Sequence, residues 1–111
     1  MTDQNASGEA YCARFHHAIE LVGRRWTGAI LIALGCERDR YTEIRDTIPG
    51  LSDRMLCDRL RELEAAGLVH RAVHPTTPVQ VRYQLTPKGR ALGPVLDSLS
   101  RWANDWLEAD P

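Results

Sequence analysis

The stretch from Leu51 to His70, LSDRMLCDRLRELEAAGLVH, constrains the fold more than any other part of the chain. Ser52 is a good helix N-cap, because its hydroxyl can accept a hydrogen bond from an unpaired backbone N–H of the first turn. Gly67 predicts the end of the helix, since glycine readily adopts the left-handed conformation found there. Three leucines recur on one side of this helix: Leu56, Leu60 and Leu63. The pattern predicts an amphipathic helix that turns directly into a strand.

Two further segments predict helices that precede this one. Trp26 to Leu34, WTGAILIAL, is strongly apolar, which predicts a helix that is buried on all sides. Tyr41 to Ile48 has apolar residues at helical spacing and stops at Pro49-Gly50, a turn of the length that joins the two helices of a helix-turn-helix. An ordinary pair of packed helices is the alternative for this segment.

After Gly67, two alternating segments, Val69 to His74 and Val79 to Leu85, predict a β-hairpin with a proline-rich tip. Thr86-Pro87 then predicts the start of the last helix. Its apolar residues recur at steps of three and four, which predicts an apolar stripe too large for one small domain to cover. We expect four of them to pack on a second copy of the chain: Leu96, Leu99, Trp102 and Trp106.

Phe15, Ala18, Ile19 and Val22 recur at helical spacing and predict a first helix that begins at Cys12 and ends at Gly23. Together the elements predict an α+β, mainly α, winged helix-turn-helix with a C-terminal dimerisation helix. We expect residues 1–10 to be a flexible tail, because they are small, polar and aperiodic, and residues 11–107 to form a single domain. No apolar run reaches membrane-spanning length. The three cysteines show no disulfide-framework spacing. We therefore expect a cytoplasmic protein with free thiols and no membrane partner.

The net charge of −1 is unevenly distributed along the chain. The part from Arg38 to Arg90 has ten Lys and Arg against seven Asp and Glu, and the remainder is acidic. A local basic patch matters more for phosphate binding than the total charge. Glycine-rich phosphate loops, nucleophile elbows and HExxH motifs are absent from the sequence, so we expect neither an enzyme nor a cofactor.

Double-stranded DNA is the partner that this charge distribution favours. Arg54 and Arg61, on the outward side of the predicted helix, can donate paired hydrogen bonds to guanine. Cys57 is small enough to approach a thymine methyl group, whereas Asp58 would have to meet a donor such as cytosine N4. Ser52 would meet a phosphate at the helix N-terminus. The candidates for contact with the DNA backbone are Arg38, Arg40, Arg45, Arg71, Gln80 and Arg82. For each arginine the alternative is exposure to solvent or an ion pair within the protein.

Several short motifs occur in order along the chain: Cys12, Gly23-Arg24-Arg25-Trp26-Thr27, Tyr41-Thr42-Glu43-Ile44, Pro49-Gly50-Leu51-Ser52, Leu60-Arg61-Glu62-Leu63-Glu64, Gly67-Leu68-Val69, Leu85-Thr86 and Trp102. This ordered set resembles the HxlR-type winged helix-turn-helix transcriptional regulators. The resemblance implies a homodimeric bacterial DNA-binding regulator with N- and C-terminal dimerisation helices. It also implies a recognition helix at Ser52 to Ala66 and a wing formed by the hairpin. A two-fold dimer would bind an inverted-repeat operator. The chain departs from the family with Tyr41 for phenylalanine and with Arg82 for glutamate, and Arg82 would favour phosphate contact if it points outward.

Cys12 carries a hypothesis about regulation. A thiol at a helix start, with Arg14 and His16 nearby, would have its thiolate favoured by the helix dipole and by positive charge. In HxlR-like proteins a cysteine at this position serves in some members as a sensor, so the resemblance implies redox sensing of an oxidant or electrophile by Cys12. An inert cysteine at the dimer interface is the alternative.

Two other functions remain open from the sequence. A small-ligand- or metal-responsive regulator would use Cys12, His16 and His17, but no further ligand is evident and we expect no metal site. A winged-helix module that binds proteins instead of DNA would use the tryptophan-rich stripe. The outward arginines of the recognition helix favour DNA.

Overall fold

The computed structural model describes the backbone of residues 4–108 and the side chains of residues 13–108. In chain order the elements are α1 (Gln4–Val22), α2 (Thr27–Gly35), α3 (Tyr41–Thr47), α4 (Asp53–Ala65), β1 (Val69–His74), β2 (Gln80–Leu85), α5 (Pro87–Arg90) and α6 (Gly93–Trp106). The predicted α+β, mainly α, winged helix-turn-helix is confirmed. Within the described part of the chain, the helices are too short or too polar to cross a membrane.

The core lies against the inner side of α4. Leu56, Leu60 and Leu63 of this helix are at most 2% exposed, as their spacing predicted. They belong to one apolar cluster with residues from α2, α3, the α3–α4 turn, β1 and α6: Ile30, Leu31, Leu34, Ile44, Ile48, Leu51, Leu68, Val69 and Leu96. Burial of a side chain of this size contributes about 1.5–3 kcal/mol. The position of α4 is therefore set by nearly every other element of the domain.

Local side-chain and backbone chemistry defines both ends of α4, as predicted. The Ser52 hydroxyl accepts a hydrogen bond from the Met55 backbone N–H at 3.1 Å. At the other end Gly67 has a φ of +77°, a conformation that costs glycine little and other residues more. The backbone N–H of Leu68 donates to the Leu63 carbonyl at 2.9 Å and closes the helix. The chain then enters β1 directly.

β1 and β2 form the predicted antiparallel hairpin, which we call the wing (residues 69–85). Its register runs from Val69 opposite Leu85 to His74 opposite Gln80. The backbone N–H of Tyr83 donates to the Asp39 carbonyl at 2.8 Å, so the segment before α3 pairs with β2. The wing is thereby attached to the helix-turn-helix at its base.

The predicted start of the first helix at Cys12 is wrong. α1 begins at Gln4, because the segment before Cys12 is rich in helix-forming Ala, Gln and Glu and contains no proline. Residues 4–10 of the expected tail are therefore helical, and Cys12 lies in the interior of a helix. The Cys12 side chain lies outside the part of the chain whose side chains are described.

The last helix is also interrupted, where a single helix was expected. α5 ends at Arg90 and α6 begins at Gly93, because Pro94 has no N–H to donate to the Arg90 carbonyl. α5 packs closely on the start of the wing: a Cβ added to Gly89 would overlap the carbonyl oxygen of Leu68. Only glycine permits this approach.

The structure corrects two expectations about burial, one for α2 and one for α6. Ile32 is 44% exposed, so α2 is not buried on all sides; the described elements cover only its other sides. Leu96 is 8% exposed and belongs to the core of its own chain, so its assignment to a dimer interface is wrong. It is rotated by about 60° around the helix from Leu99, which is 57% exposed.

Candidate nucleic-acid interface

The outer side of α4 presents two exposed guanidinium groups. Arg54 and Arg61 are exposed, and neither forms an ion pair within the described part of the chain. They are seven positions apart in the helix, so they lie about 10 Å apart along its axis. That distance corresponds to about three base-pair steps of 3.4 Å. The two arginines are therefore placed to contact different base pairs.

The N-terminus of α4 contains a carboxylate that is neutralised within the protein. Asp53 follows the N-cap Ser52, and its Oδ1 accepts a hydrogen bond from Arg45 Nη1 at 3.1 Å. Asp53 in turn raises the pKa of the Arg45 guanidinium through its hydrogen bond and its charge. Arg45 is thus ion-paired, the alternative that the sequence left open for it. Pairing of Asp53 reduces its repulsion of a phosphate near Ser52.

A tyrosine hydroxyl fixes α3 to the first turn of α4. The Tyr41 hydroxyl donates to the Asp53 carbonyl oxygen at 2.9 Å, and Cys57 Sγ lies 3.7 Å from the same hydroxyl. Cys57 is therefore half-buried beside α3, which argues against the expected contact with a thymine methyl group. Asp58 is half-buried as well. Among the residues of α4 and its N-cap that were expected to touch DNA, the exposed ones are Ser52, Arg54 and Arg61.

The same cluster changes the ionisation of Tyr41. Partial burial raises the pKa of its hydroxyl well above the ordinary 10.0, and the Cys57 thiol and the Asp53 carboxylate act in the same direction. The hydroxyl therefore stays protonated and able to donate to Asp53 throughout the neutral range.

The wing presents one exposed arginine and one that is ion-paired. Arg82 Nη1 lies 3.1 and 3.0 Å from the two carboxylate oxygens of Asp39, and Nη2 donates to Gln80 Oε1 at 3.4 Å. The expectation that Arg82 points outward to a phosphate is therefore wrong. Arg71 is exposed, and it stands on the opposite face of the hairpin because it pairs with Tyr83 whereas Arg82 pairs with Ala72.

Ion pairing thus divides the basic residues of the central segment into two groups. Arg45, Arg59 and Arg82 bind carboxylates of the chain itself. Six arginines of the central segment are exposed and form no ion pair with the described residues: Arg38, Arg40, Arg54, Arg61, Arg71 and Arg90. Their charge is available for phosphates or bases.

Arg59 was not among the predicted site residues, although its position in the sequence indicates burial. Residue 59 lies three positions after Leu56 and four before Leu63, on the leucine side of the helix. Arg59 is accordingly only 7% exposed. A charged residue at a predicted core position indicates a dedicated partner, because an unpaired buried charge is costly.

The cysteines and histidines form no metal centre among the residues whose side chains are described. Cys36 is exposed at the end of α2, as expected for its polar turn. The possible ligand set of Cys12, His16 and His17 includes Cys12, whose side chain lies outside the described residues.

We predict that Tyr41→Phe reduces the loss of stability that the protein shows above pH 10. The Tyr41 hydroxyl binds its proton more tightly in the folded protein than in the unfolded chain. Its contribution to stability is therefore complete below pH 10.0 and declines as the pH rises beyond that value. Loss of the hydrogen bond should also cost about 0.5–1.5 kcal/mol at pH 7. Urea unfolding as a function of pH measures both effects. The neighbouring exposed substitution Thr42→Ala should retain the parental pH dependence, and an unchanged profile in Tyr41→Phe would contradict the assignment.

Comparison with known proteins identifies the family. The model of the HxlR-like helix-turn-helix family matches residues 21–111. The chain is 43% identical to the HTH-type transcriptional regulator YvaP of Bacillus subtilis over 97 residues, which cover 87% of this chain and 90% of YvaP. It is also 43% identical to the HTH-type transcriptional regulator YodB of the same organism over 101 residues, covering 91% of this chain and 90% of YodB.

Solved structures agree with these sequence matches. The reduced form of YodB has a TM-score of 0.77 at 42% identity, covering 89% of this chain and 98% of YodB. The redox regulator HypR in its oxidized form has a TM-score of 0.79 at 32% identity, covering 86% of this chain and 99% of HypR. With its helix-turn-helix, its wing and these relatives, the chain belongs to the HxlR-like helix-turn-helix family of transcriptional regulators.

Proposed function

We propose that this chain reads duplex DNA in the major groove with the outer side of α4. The exposure of Arg54 and Arg61, at a separation of about three base pairs, is the observation that carries the proposal. Planar guanidinium groups recognise guanine by two parallel hydrogen bonds, which gives base preference as well as affinity. Ser52 approaches a phosphate at the helix N-terminus. Arg71 contacts the DNA backbone from the wing.

We predict that Arg54→Ala and Arg61→Ala each weaken binding to a preferred duplex by about 1–3 kcal/mol and relax the preference at particular base pairs. The duplex is first selected from a random pool by the parent protein, and the affinities are measured by fluorescence anisotropy.

Two further variants serve as comparisons for this experiment. Arg71→Ala should weaken binding to all duplexes about equally, because phosphates are the same in every sequence. Arg101→Ala, at an exposed arginine on the polar side of α6, should leave affinity unchanged. Parental affinity and base preference in both α4 variants would show that another surface reads the DNA.

We also propose a two-fold homodimer formed by α1 and α6. Exposed apolar side chains lie along both helices: Phe15, Ile19, Val95, Leu99, Trp102 and Trp106. Trp106 alone is 74% exposed, and monomeric proteins rarely expose apolar patches of this kind. The radius of gyration of 16.3 Å also exceeds the about 13 Å of a compact chain of this length. A two-fold axis would place two α4 helices about 34 Å apart on an inverted repeat.

We predict that Leu99→Glu and Trp106→Glu convert the dimer into monomers, because each puts a charge into an apolar interface. Sedimentation equilibrium at several protein concentrations measures the change. Asn104→Glu, on the exposed polar side of the same helix, is the matched control and should remain dimeric. A parent protein that is monomeric at all concentrations would remove the proposal, whether or not it binds DNA.

A thiol-dependent response to oxidants is the second function that a specific observation favours. HypR is described as a redox regulator and has been solved in oxidized and reduced forms. YodB has been solved in its reduced form and after treatment with diamide. We propose Cys12 as the sensing thiol of this chain because it lies in α1, which carries exposed Phe15 and Ile19. Because α1 begins at Gln4, Cys12 is not at the N-terminus of the helix and its thiolate is not stabilised by the helix dipole there.

We predict that diamide weakens DNA binding of the parent protein by oxidising the Cys12 thiols of two chains to one disulfide, diamide being reduced to the hydrazine, and that dithiothreitol restores binding by reducing the disulfide. Cys12→Ser should bind DNA normally and ignore the oxidant, whereas Cys36→Ser and Cys57→Ser should respond like the parent. An oxidant shifts a packed interface between discrete arrangements, and a displaced recognition helix loses its base contacts. A full response in Cys12→Ser would assign the sensor elsewhere, and a response in the triple variant would exclude a thiol mechanism.

A further inference from the structure

Arg59 is the only charged side chain in the core of the described residues. It lies on the leucine side of α4 at 7% exposure, opposite the surface proposed to read DNA. A leucine at this position would be buried without any cost of removing a charge from water. The partner carboxylate of Glu62 is partly exposed, and an ion pair that desolvates one of its charges is weak evidence of stabilisation, so the geometry requires another explanation.

The guanidinium of Arg59 joins α4 to the segment between α1 and α2, which we call the junction (residues 23–26). Arg59 Nε donates to the backbone carbonyl oxygen of Arg25 at 2.9 Å. Its Nη1 donates to Glu62 Oε2 at 2.9 Å, and Glu62 Oε1 lies 3.1 Å from Arg24 Nε. Two successive residues of the junction are therefore bonded to one turn of the recognition helix: Arg24 binds Glu62, and Arg25 binds Arg59.

The junction has a constrained backbone of its own. Trp26 has a φ of +79°, a left-handed conformation that is an outlier for a bulky residue and persists only where the surroundings determine it. The Arg25 guanidinium lies over the Trp26 ring, 4.9 Å from its centroid. The same ring lies 3.4 Å from the position of a Cβ on Gly50, in the turn between α3 and α4. The junction thus contacts the helix-turn-helix at its turn as well as through Arg59.

On its other side the junction continues into α1, the helix that carries exposed Phe15 and Ile19. A partner bound to α1 can affect the orientation of α4 only through groups that connect the two helices. The bonds from Arg59 to Arg25 and from Glu62 to Arg24 are such a connection.

We propose that Arg59 is a positioning residue that sets the orientation of the recognition helix relative to α1, one of the two proposed dimer helices, and hence the spacing of the two DNA half-sites. This inference rests on the proposed DNA binding and dimerisation. Lysine retains the charge but has a single ammonium group, which cannot bond the Arg25 carbonyl and Glu62 in the same fixed fork. Methionine has no donor at all.

The test is selection of duplexes from one random pool, about 30 base pairs long so that two half-sites fit. Parent, Arg59→Lys and Arg59→Met proteins are selected in parallel, and the distance between half-sites is read from the enriched sequences. The parent should enrich one spacing. In Arg59→Met the preference for that spacing over spacings one or two base pairs shorter or longer should fall by about tenfold. This factor is equivalent to the loss of one hydrogen bond to a charged group. Arg59→Lys should lie between the two, and affinity for bulk DNA should change little.

Leu34→Ala separates positioning from stability, because it removes a buried side chain near the end of α2 that is distant from the junction, and it should retain the parental spacing. If Arg59→Met lowers the free energy of unfolding but selects the same single spacing, Arg59 has only a structural role and the proposal is wrong. If Arg59→Met does not fold, Arg24→Ala and Glu62→Gln, at a partly exposed ion pair, decide by the same spacing readout. A parent protein that selects no duplex, or only single half-sites, contradicts the proposed function instead.

Discussion

Burial of the leucine side of α4 is the interaction on which the rest of the structure depends. α2, α3, β1 and α6 all contribute side chains to the cluster around Leu56, Leu60 and Leu63. Since these residues fix the rotation of the helix, they also determine that Arg54 and Arg61 face outward. The proposed reading surface is therefore a consequence of packing on the opposite side, and a substitution that rotates α4 would act on DNA recognition through it.

Ion pairs within the chain select the arginines that remain available to DNA. Asp39, Asp53 and Glu62 each bind an arginine of the central segment, so these carboxylates oppose phosphate binding less than their number suggests. The surface pairs contribute little to stability, typically below about 1 kcal/mol. Their effect is on the distribution of charge. Arg82 is withdrawn from the wing surface, and Arg71 is left exposed.

The features that the sequence predicted correctly depend on nearby residues. Ser52 caps α4, Gly67 ends it, and the alternating segments pair as the wing. These outcomes follow from the chemistry of one turn of helix or from a two-residue periodicity. The incorrect boundary of the last helix was also local, because Pro94 is visible in the sequence as a residue that interrupts a helix.

The features that could not be predicted depend on distant segments. The partner of Arg82 is Asp39, 43 residues away, and Cys57 turns inward because Tyr41, 16 residues away, reaches it. Leu96 lies in the core because α6 packs on α2. Only Arg59 gave a sequence signal for a distant contact, as a charge at a core position, but its partners in the junction required the fold.

The central claim is that α4 and the wing bind duplex DNA through exposed arginines, and the salt dependence of binding tests it most directly. Each phosphate contact releases counterions, so the logarithm of the affinity should fall linearly with the logarithm of the salt concentration, with a slope of about −0.9 for each phosphate contacted. We predict a steep slope for the parent protein on bulk duplex DNA, equivalent to several contacts. Absence of binding at low salt, or an affinity that does not change with salt, would contradict the claim.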